Sequence, residues 1–295
     1  MDTNPPVLRL NEDGKIPMSP PRVSATAMKD AISGCLLRGV LDKMYDPPQR
    51  FGWNILGTAI HSAIQHVATD DLDLDQAIEH AHDLVWDKLQ EWAKAGKSVR
   101  YAQGRGIDTI DQDIEGMLAG WFRDVHPDSG KRLPLYAEHE WPFRAEVELS
   151  RPGLHTIVDA VFDLKGTPGE VSIVDWKTGG TPKADTQQLH FYQWMWPQFH
   201  SKDRISGAWF HHLVDGSRQH ADDYPGDDWM EYKYLYAKTI INDPTLRMMP
   251  RPHWVCGRAD LCPHKAVCPA FDGDLHTLWE NAKLITYDEA KGGQQ

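Results

Sequence analysis

The sequence is short of several things, and each shortage removes a class of protein. No apolar run approaches the roughly 20 residues that a membrane-spanning helix needs. The opening stretch, MDTNPPVLRLNEDGK, lacks the basic-then-apolar order of a secretory signal, so the expected location is the cytoplasm, with no membrane partner. Basic residues are outnumbered, 31 Lys and Arg against 43 Asp and Glu. The resulting net charge of −12 argues against broad electrostatic binding to a polyanion, though it leaves room for a local basic patch. Cysteine is scarce: Cys35 stands alone, and Cys256, Cys262 and Cys268 follow far downstream. That is a poor disulfide framework, and the clustered trio reads instead as a set of metal ligands. There is no internal repeat and no G-x-x-x-x-G-K-[ST] phosphate loop.

What is present describes an ordinary globular chain, 41% hydrophobic and 25% charged, with ample material for a core. Residues 1–22 are rich in proline and charge and read as a loose arm. Ser24 or Thr26 caps a helix through AMKDAISGCLLRGVLDKM, which carries Cys35. A second helix, NILGTAIHSAIQHVA, repeats Leu56, Ile60, Ile64 and Val67 at helical spacing, with Gly57 and His61 on a neighbouring stripe. A third, over 75–95, has an apolar face of Ile78, Ala81, Val85, Leu89 and Trp92. Opposite lie Asp75, Glu79, Asp83, Asp87 and Glu91, which repel one another weakly and belong on a solvated face. A basic loop follows, KAGKSVRYAQGRG, with Lys97, Arg100 and Arg105 as candidate phosphate contacts. DTIDQDIEGMLAGWFRDV is a fourth helix.

The texture then turns to strands. AEHEWPFRAEVEL, LHTIVDAVFDL and VSIVDWKT are joined by Pro/Gly turns. A helix over 185–196, a strand ISGAWFHHLV and a helix DWMEYKYLYAKTIIND precede the cysteine segment. The order implies one integrated α/β domain: a helical region over 23–130, a mixed-sheet core over 131–215, and a helical and cysteine-bearing region over 216–295.

Two charges interrupt the strand VSIVDWKT. Asp175 and Lys177 share one of its faces, with Trp176 on the other. Asp159 interrupts the preceding strand, in a row with Ile157, Val161 and Asp163. Inward acids on neighbouring strands do not tolerate one another unless a proton or a cation sits between them, and magnesium takes one or two carboxylates plus phosphate oxygens. Lys177 beside them can neutralise charge on a phosphoryl oxygen. Gln188 and Tyr192, one turn apart on the next helix, add hydrogen-bonding groups, and His61 adds an imidazole. Taken alone, a D-x-K tripeptide is more often a strand-end ion pair.

The ordered set GTAIHSA, IVDA, VDWKTG and QLHFY resembles the motifs of the PD-(D/E)XK nuclease superfamily, and within it the RecB-like branch. The resemblance implies a restriction-endonuclease-like fold, a mixed sheet flanked by helices. It implies a deoxyribonuclease in which His61, Asp159, Asp175 and the Trp176 carbonyl bind magnesium or manganese. Lys177 would be catalytic, and Gln188 and Tyr192 would support the site and contact DNA. The cysteines are similar to those of AddB-type recombination nucleases and CRISPR-associated iron–sulfur exonucleases, which hold a 4Fe-4S cluster with one N-terminal and three C-terminal thiolates. Cys35, Cys256, Cys262 and Cys268 reproduce that split. Zinc is the alternative, held by the four thiolates or with His253 or His264 replacing one of them. The spacing here is C-x5-C-x5-C, wider than in many relatives, and Thr156 stands where they often have glycine. The implied activity is exonucleolytic on single-stranded DNA, in recombination, repair, CRISPR or phage DNA processing. Any unwinding would come from a partner helicase. The competing reading is a non-catalytic cysteine-cluster module that binds DNA or a partner. Polarity, mode and oligomeric state are left open.

Overall fold

The computed structural model describes residues 7–8, 22–33, 35, 41, 45–46, 49–70, 72–101, 106–179, 186–221 and 223–243. The expected cysteine segment with Cys256, Cys262 and Cys268, the alternative ligands His253 and His264, Arg105, and nearly all of the N-terminal arm lie outside them. The chain divides into two compact units: Met1–Arg50 with Arg151–His155 and Asp228–Gln295, and Phe51–Ser150 with Thr156–Asp227.

In the first unit, helix α1 spans Ala25–Ser33. The Ser24 hydroxyl accepts the Ala27 N–H at 3.1 Å, so of the two candidate caps Ser24 is the one used. Cys35 is half-buried two residues past the described end of this helix, not inside it.

The second unit holds four of the long helices and most of the sheet. Helix α2 is Gly52–Asp70, α3 is Leu74–Lys94 and α4 is Ile110–Val125. Asp73 starts α3 with a reciprocal capping box to Gln76. The five acids on its far side are all exposed, as the solvated-face reading requires, while Ala77, Ala81, Val85, Leu89 and Trp92 are buried. Ile78, expected on the apolar face, is only partly buried. The stretch expected as a basic loop contains a three-residue strand, Ser98–Arg100.

Five strands form the sheet, in spatial order β1 (Arg144–Arg151), β2 (Leu154–Asp163), β3 (Glu170–Lys177), β4 (Arg204–His212) and β5 (Arg218–His220). β2 and β3 are antiparallel, β3 and β4 parallel, β4 and β5 antiparallel. The sheet is therefore mixed and flanked by helices, the architecture that the motif resemblance implies. The first strand begins later than AEHEWPF: residues Pro134–Ala137 make a helical turn, and Pro142 cannot donate to a ladder. Helix α5, Gln187–Phe199, follows β3 and runs past the expected end at Trp196, through Pro197. The last described helix, α6, is Asp227–Asn242.

One face of the sheet is the core. Ala160 and Phe162 from β2 and Val174 and Trp176 from β3 pack with the buried faces of α2, α3 and α4. The Trp176 indole meets Trp121 edge-on at 6.1 Å and Phe162 at 6.3 Å. The opposite face of β3 carries Val171, Ile173 and Asp175 beneath α5. β3 is buried on both faces along most of its length, which is why it reads as a nearly unbroken apolar run. The Asp159 row differs from expectation. Ile157 is 42% exposed, so this row edges a half-open face and is not a buried stripe. Among the described residues no helix is long and apolar enough to cross a membrane.

Candidate active site

Strand register places the two acids together. Val161 pairs with Ile173 and Ala160 with Val174, so one further step sets Asp159 opposite Asp175. Here the carboxylate intrudes on the backbone: Asp159 Oδ2 accepts the Trp176 N–H at 2.8 Å. A candidate ligand side chain is thus fastened to the strand that carries the other acid.

His61 reaches the same spot from α2. Its Nε2 lies 3.1 Å from the Trp176 carbonyl, which can only accept, so Nε2 carries the hydrogen and Nδ1 faces the acids. Nδ1 stands 3.5 Å from Asp159 Oδ2 and 3.8 Å from Glu146 Oε1. One ligand atom from each of His61, Glu146 and Asp159 falls within 4.8 Å of the other two, all three residues being half-buried. An imidazole nitrogen and two carboxylates at this separation make a donor set suited to a divalent cation.

Glu146 was not anticipated. In the alternating strand AEVEL it looks like any outward polar residue. Its backbone, however, is in the left-handed region at φ 47°, rare for a residue other than glycine and unusual within a strand. Such a kink re-aims a side chain, here toward His61. The one usable signal was position: β1 precedes β2 across a two-residue turn, and so delivers a further acid to the neighbour of the Asp159 strand.

The site is short of positive charge. Burial works against the charged form of His61, yet its bond to Glu146 and the charges of Asp159, Asp175 and Glu146 prevail and raise its pKa to about 9. Burial, then the proximity of Asp175, pushes the Asp159 carboxyl up to about 8, with His61 and Lys177 pulling the other way. Protons are filling a place that a cation fits.

Asp175, by contrast, is fully engaged. It is 1% exposed. One oxygen forms an ion pair with Lys177. The other accepts the Gln188 amide at 2.8 Å and the Tyr192 hydroxyl at 3.3 Å. Gln188 also accepts from Lys177 Nζ at 2.9 Å and donates to the Tyr192 oxygen at 2.6 Å. Lys177 Nζ lies 4.7 Å from the centre of the Phe210 ring on β4. Burial raises the Tyr192 pKa well above the usual phenol value, so its hydroxyl stays a donor.

The structure therefore gathers His61, Asp159, Asp175, Trp176, Lys177, Gln188 and Tyr192, and adds Glu146. In this arrangement the Trp176 carbonyl accepts from His61. Lys97 sits in the turn after α3. The side chain of Arg100, like Arg105, lies outside the described set.

A family model described as the PD-(D/E)XK nuclease superfamily matches residues 36–269. The chain belongs to the PD-(D/E)XK nuclease superfamily. It is accordingly a member of a family of hydrolases that act on nucleic acid, and its His61–Glu146–Asp159 cluster is a candidate divalent-metal site for such chemistry. Among solved structures, "Crystal structure of SSO0001" is similar at 12% identity with a TM-score of 0.32, over 83% of this chain and 95% of that one. A comparison with curated proteins finds no match.

Proposed function

We propose that this PD-(D/E)XK protein is a metal-dependent deoxyribonuclease of the RecB-like type that acts on single-stranded DNA, exonucleolytically. The observation that carries the reading is the placement of an acid-rich, cation-hungry cluster directly beside a lysine held in a fixed network. A second reading as a non-catalytic binding module has no use for that pairing.

His61, Glu146 and Asp159 would hold magnesium or manganese, with Asp175 alongside. A divalent ion there supplies Lewis-acid stabilisation of negative charge on a phosphate. The chain's own residues do the rest. Lys177 offers an ammonium to a phosphoryl oxygen or to the attacking water, where it offsets charge that develops in the transition state. Asp175 holds that amine in place through their ion pair. Gln188 bridges the two, bonding Lys177 through its oxygen and Asp175 through its nitrogen. Tyr192 fixes the amide of Gln188 in that orientation. Lys97, Arg100 and Arg105 would meet the DNA backbone.

The proposal extends to a 4Fe-4S cluster on Cys35, Cys256, Cys262 and Cys268, and to partner proteins that supply duplex unwinding in recombination or CRISPR DNA processing. Protein purified without oxygen is then brown, whereas colourless protein with stoichiometric zinc overturns the cluster. For the activity, wild-type protein with manganese degrades end-labelled single-stranded DNA, releasing short products from the start of the reaction, and Lys177→Ala does not. Equal behaviour of the two proteins overturns the assignment.

A further inference from the structure

Helix α2 has two working faces. Ile55, Leu56, Ala59, Ile60, Ala63, Ile64 and Val67 fill the core. A second stripe, Trp53, Asn54, Gly57, Thr58, His61, Ser62 and Gln65, recurs at intervals of three and four and lines a cleft of about 550 Å³ that Glu146 and Thr178 close. From Trp53 to Gln65 the stripe runs about 18 Å along the helix. The candidate metal cluster thus lies part-way along the cleft, about 12 Å from Trp53 on one side and about 6 Å from Gln65 on the other.

Its lining has an unusual chemistry for a protein that handles a polyanion. It contains no lysine or arginine, and apart from His61 its charge is that of Glu146. A phosphate belongs beside the His61–Glu146–Asp159 cluster, where a cation offsets the acids. The rest of the cleft is uncharged: an indole, two carboxamides and three hydroxyls. Among the described residues no hydrogen bond engages the side-chain amides of Asn54 and Gln65 (Thr58 bonds the Asn54 carbonyl at 3.0 Å, and Ser62 bonds His80 at 2.9 Å). Gly57 faces Thr178 closely. A Cβ added there would come within 3.0 Å of the Thr178 hydroxyl, one residue after Lys177. A mid-helix glycine costs about 1 kcal/mol relative to alanine, and here it keeps the wall thin beside the site.

Flat aromatic surface, unengaged amides and room typical of small-ligand sites fit the neutral part of a nucleotide. Building on the nuclease reading, we propose that this cleft seats unpaired bases and sugars of the strand next to the phosphate to be cut, with Trp53 as the stacking platform. Bases in a duplex cannot present their faces to an indole, so the cleft selects single strands. Trp53 and Gln65 here set substrate position and do not take part in the chemistry.

The test compares wild type with Trp53→Ala, both full-length with manganese, on two single-stranded oligonucleotides. One is intact and the other has abasic residues flanking the cleaved bonds. On intact DNA, Trp53→Ala raises KM about five-fold or more, with kcat changed by less than about two-fold. On abasic DNA the two proteins coincide. An unchanged KM on intact DNA, or the same penalty on both substrates, overturns the proposal. Should Trp53→Ala fail to fold by circular dichroism, Gln65→Leu and Gly57→Val raise KM in its place, and no rise in either overturns it equally. Wild-type protein that cuts neither oligonucleotide removes the nuclease reading instead. The cleft is then judged by fluorescence anisotropy of the labelled intact strand in calcium, where binding no weaker for Trp53→Ala, or for Gln65→Leu where that variant stands in, overturns it.

Discussion

Two clusters of polar side chains meet at the end of β3, and they are built on opposite principles. Around Asp175 each charge or hydroxyl has its complement: Lys177 pairs with one carboxylate oxygen, Gln188 and Tyr192 bond the other. Around Asp159, acids outnumber bases, and His61 alone faces Glu146 and Asp159 at 3.5 to 3.8 Å. The first cluster is complete as the chain folds. The second is complete only with something added. On the proposed nuclease reading, the groups that need fixed aim sit in the finished half, and the candidate ion ligands sit in the other.

Mutations should separate the halves. The largest effect is expected from Asp175→Ala, which strands the Lys177 ammonium, the Gln188 amide and the Tyr192 hydroxyl. Cleavage should vanish and stability fall by about 3 kcal/mol, the low end for a buried pair because Lys177 reaches solvent. Urea unfolding monitored by tryptophan fluorescence measures it, and a loss under about 1 kcal/mol would show that the network is not structural. Glu146→Gln should do the reverse. With a carboxylate removed from a crowded site, metal-free stability should hold or rise, while manganese affinity in titration calorimetry drops at least about ten-fold. If Glu146→Gln costs as much stability as Asp175→Ala, the contrast between the clusters is wrong.

Acidity sharpens the same comparison. The Asp159 carboxyl is raised from 3.8 to about 8, so its contribution to metal-free stability is full below pH 3.8 and is lost progressively as pH rises from there to about 8. His61, raised from 6.5 to about 9, contributes stability fully below pH 6.5 and loses it through pH 9. Both signs agree: alkali weakens the metal-free cluster. Manganese competes with those protons, so the rise in melting temperature it produces should be larger at pH 8.5 than at pH 6. An equal rise at both would mean that the ion binds elsewhere. Smaller still, Tyr192→Phe should cost about 1 kcal/mol by removing hydroxyl bonds while leaving manganese affinity unchanged. Least of all, Glu79→Lys on the solvated face of α3 should stay within about 0.5 kcal/mol.

Much of the architecture was legible because it rests on local pattern. The α3 acids and apolar stripe, the Gly57–His61 spacing on α2 and the alternation in VSIVDWKT all reflect side-chain periodicity. The pairing of Asp159 with Asp175 was also readable, since adjacent strands each carried an acid at an inward position. Glu146 was not, because its role depends on a backbone angle that no composition encodes. The open edge beside Ile157 was missed for a related reason: alternation tells which residues share a side, but not what covers that side.

The bond from Asp159 to the Trp176 amide bears on how loss-of-function variants should be read. Alanine at 159 would subtract a charge and also leave a peptide hydrogen beside the sheet with nothing to point at, letting the tip of the Lys177 strand drift. Asparagine keeps an oxygen in that role and subtracts the charge alone. Only the asparagine exchange reports on electrostatics without also loosening the scaffold.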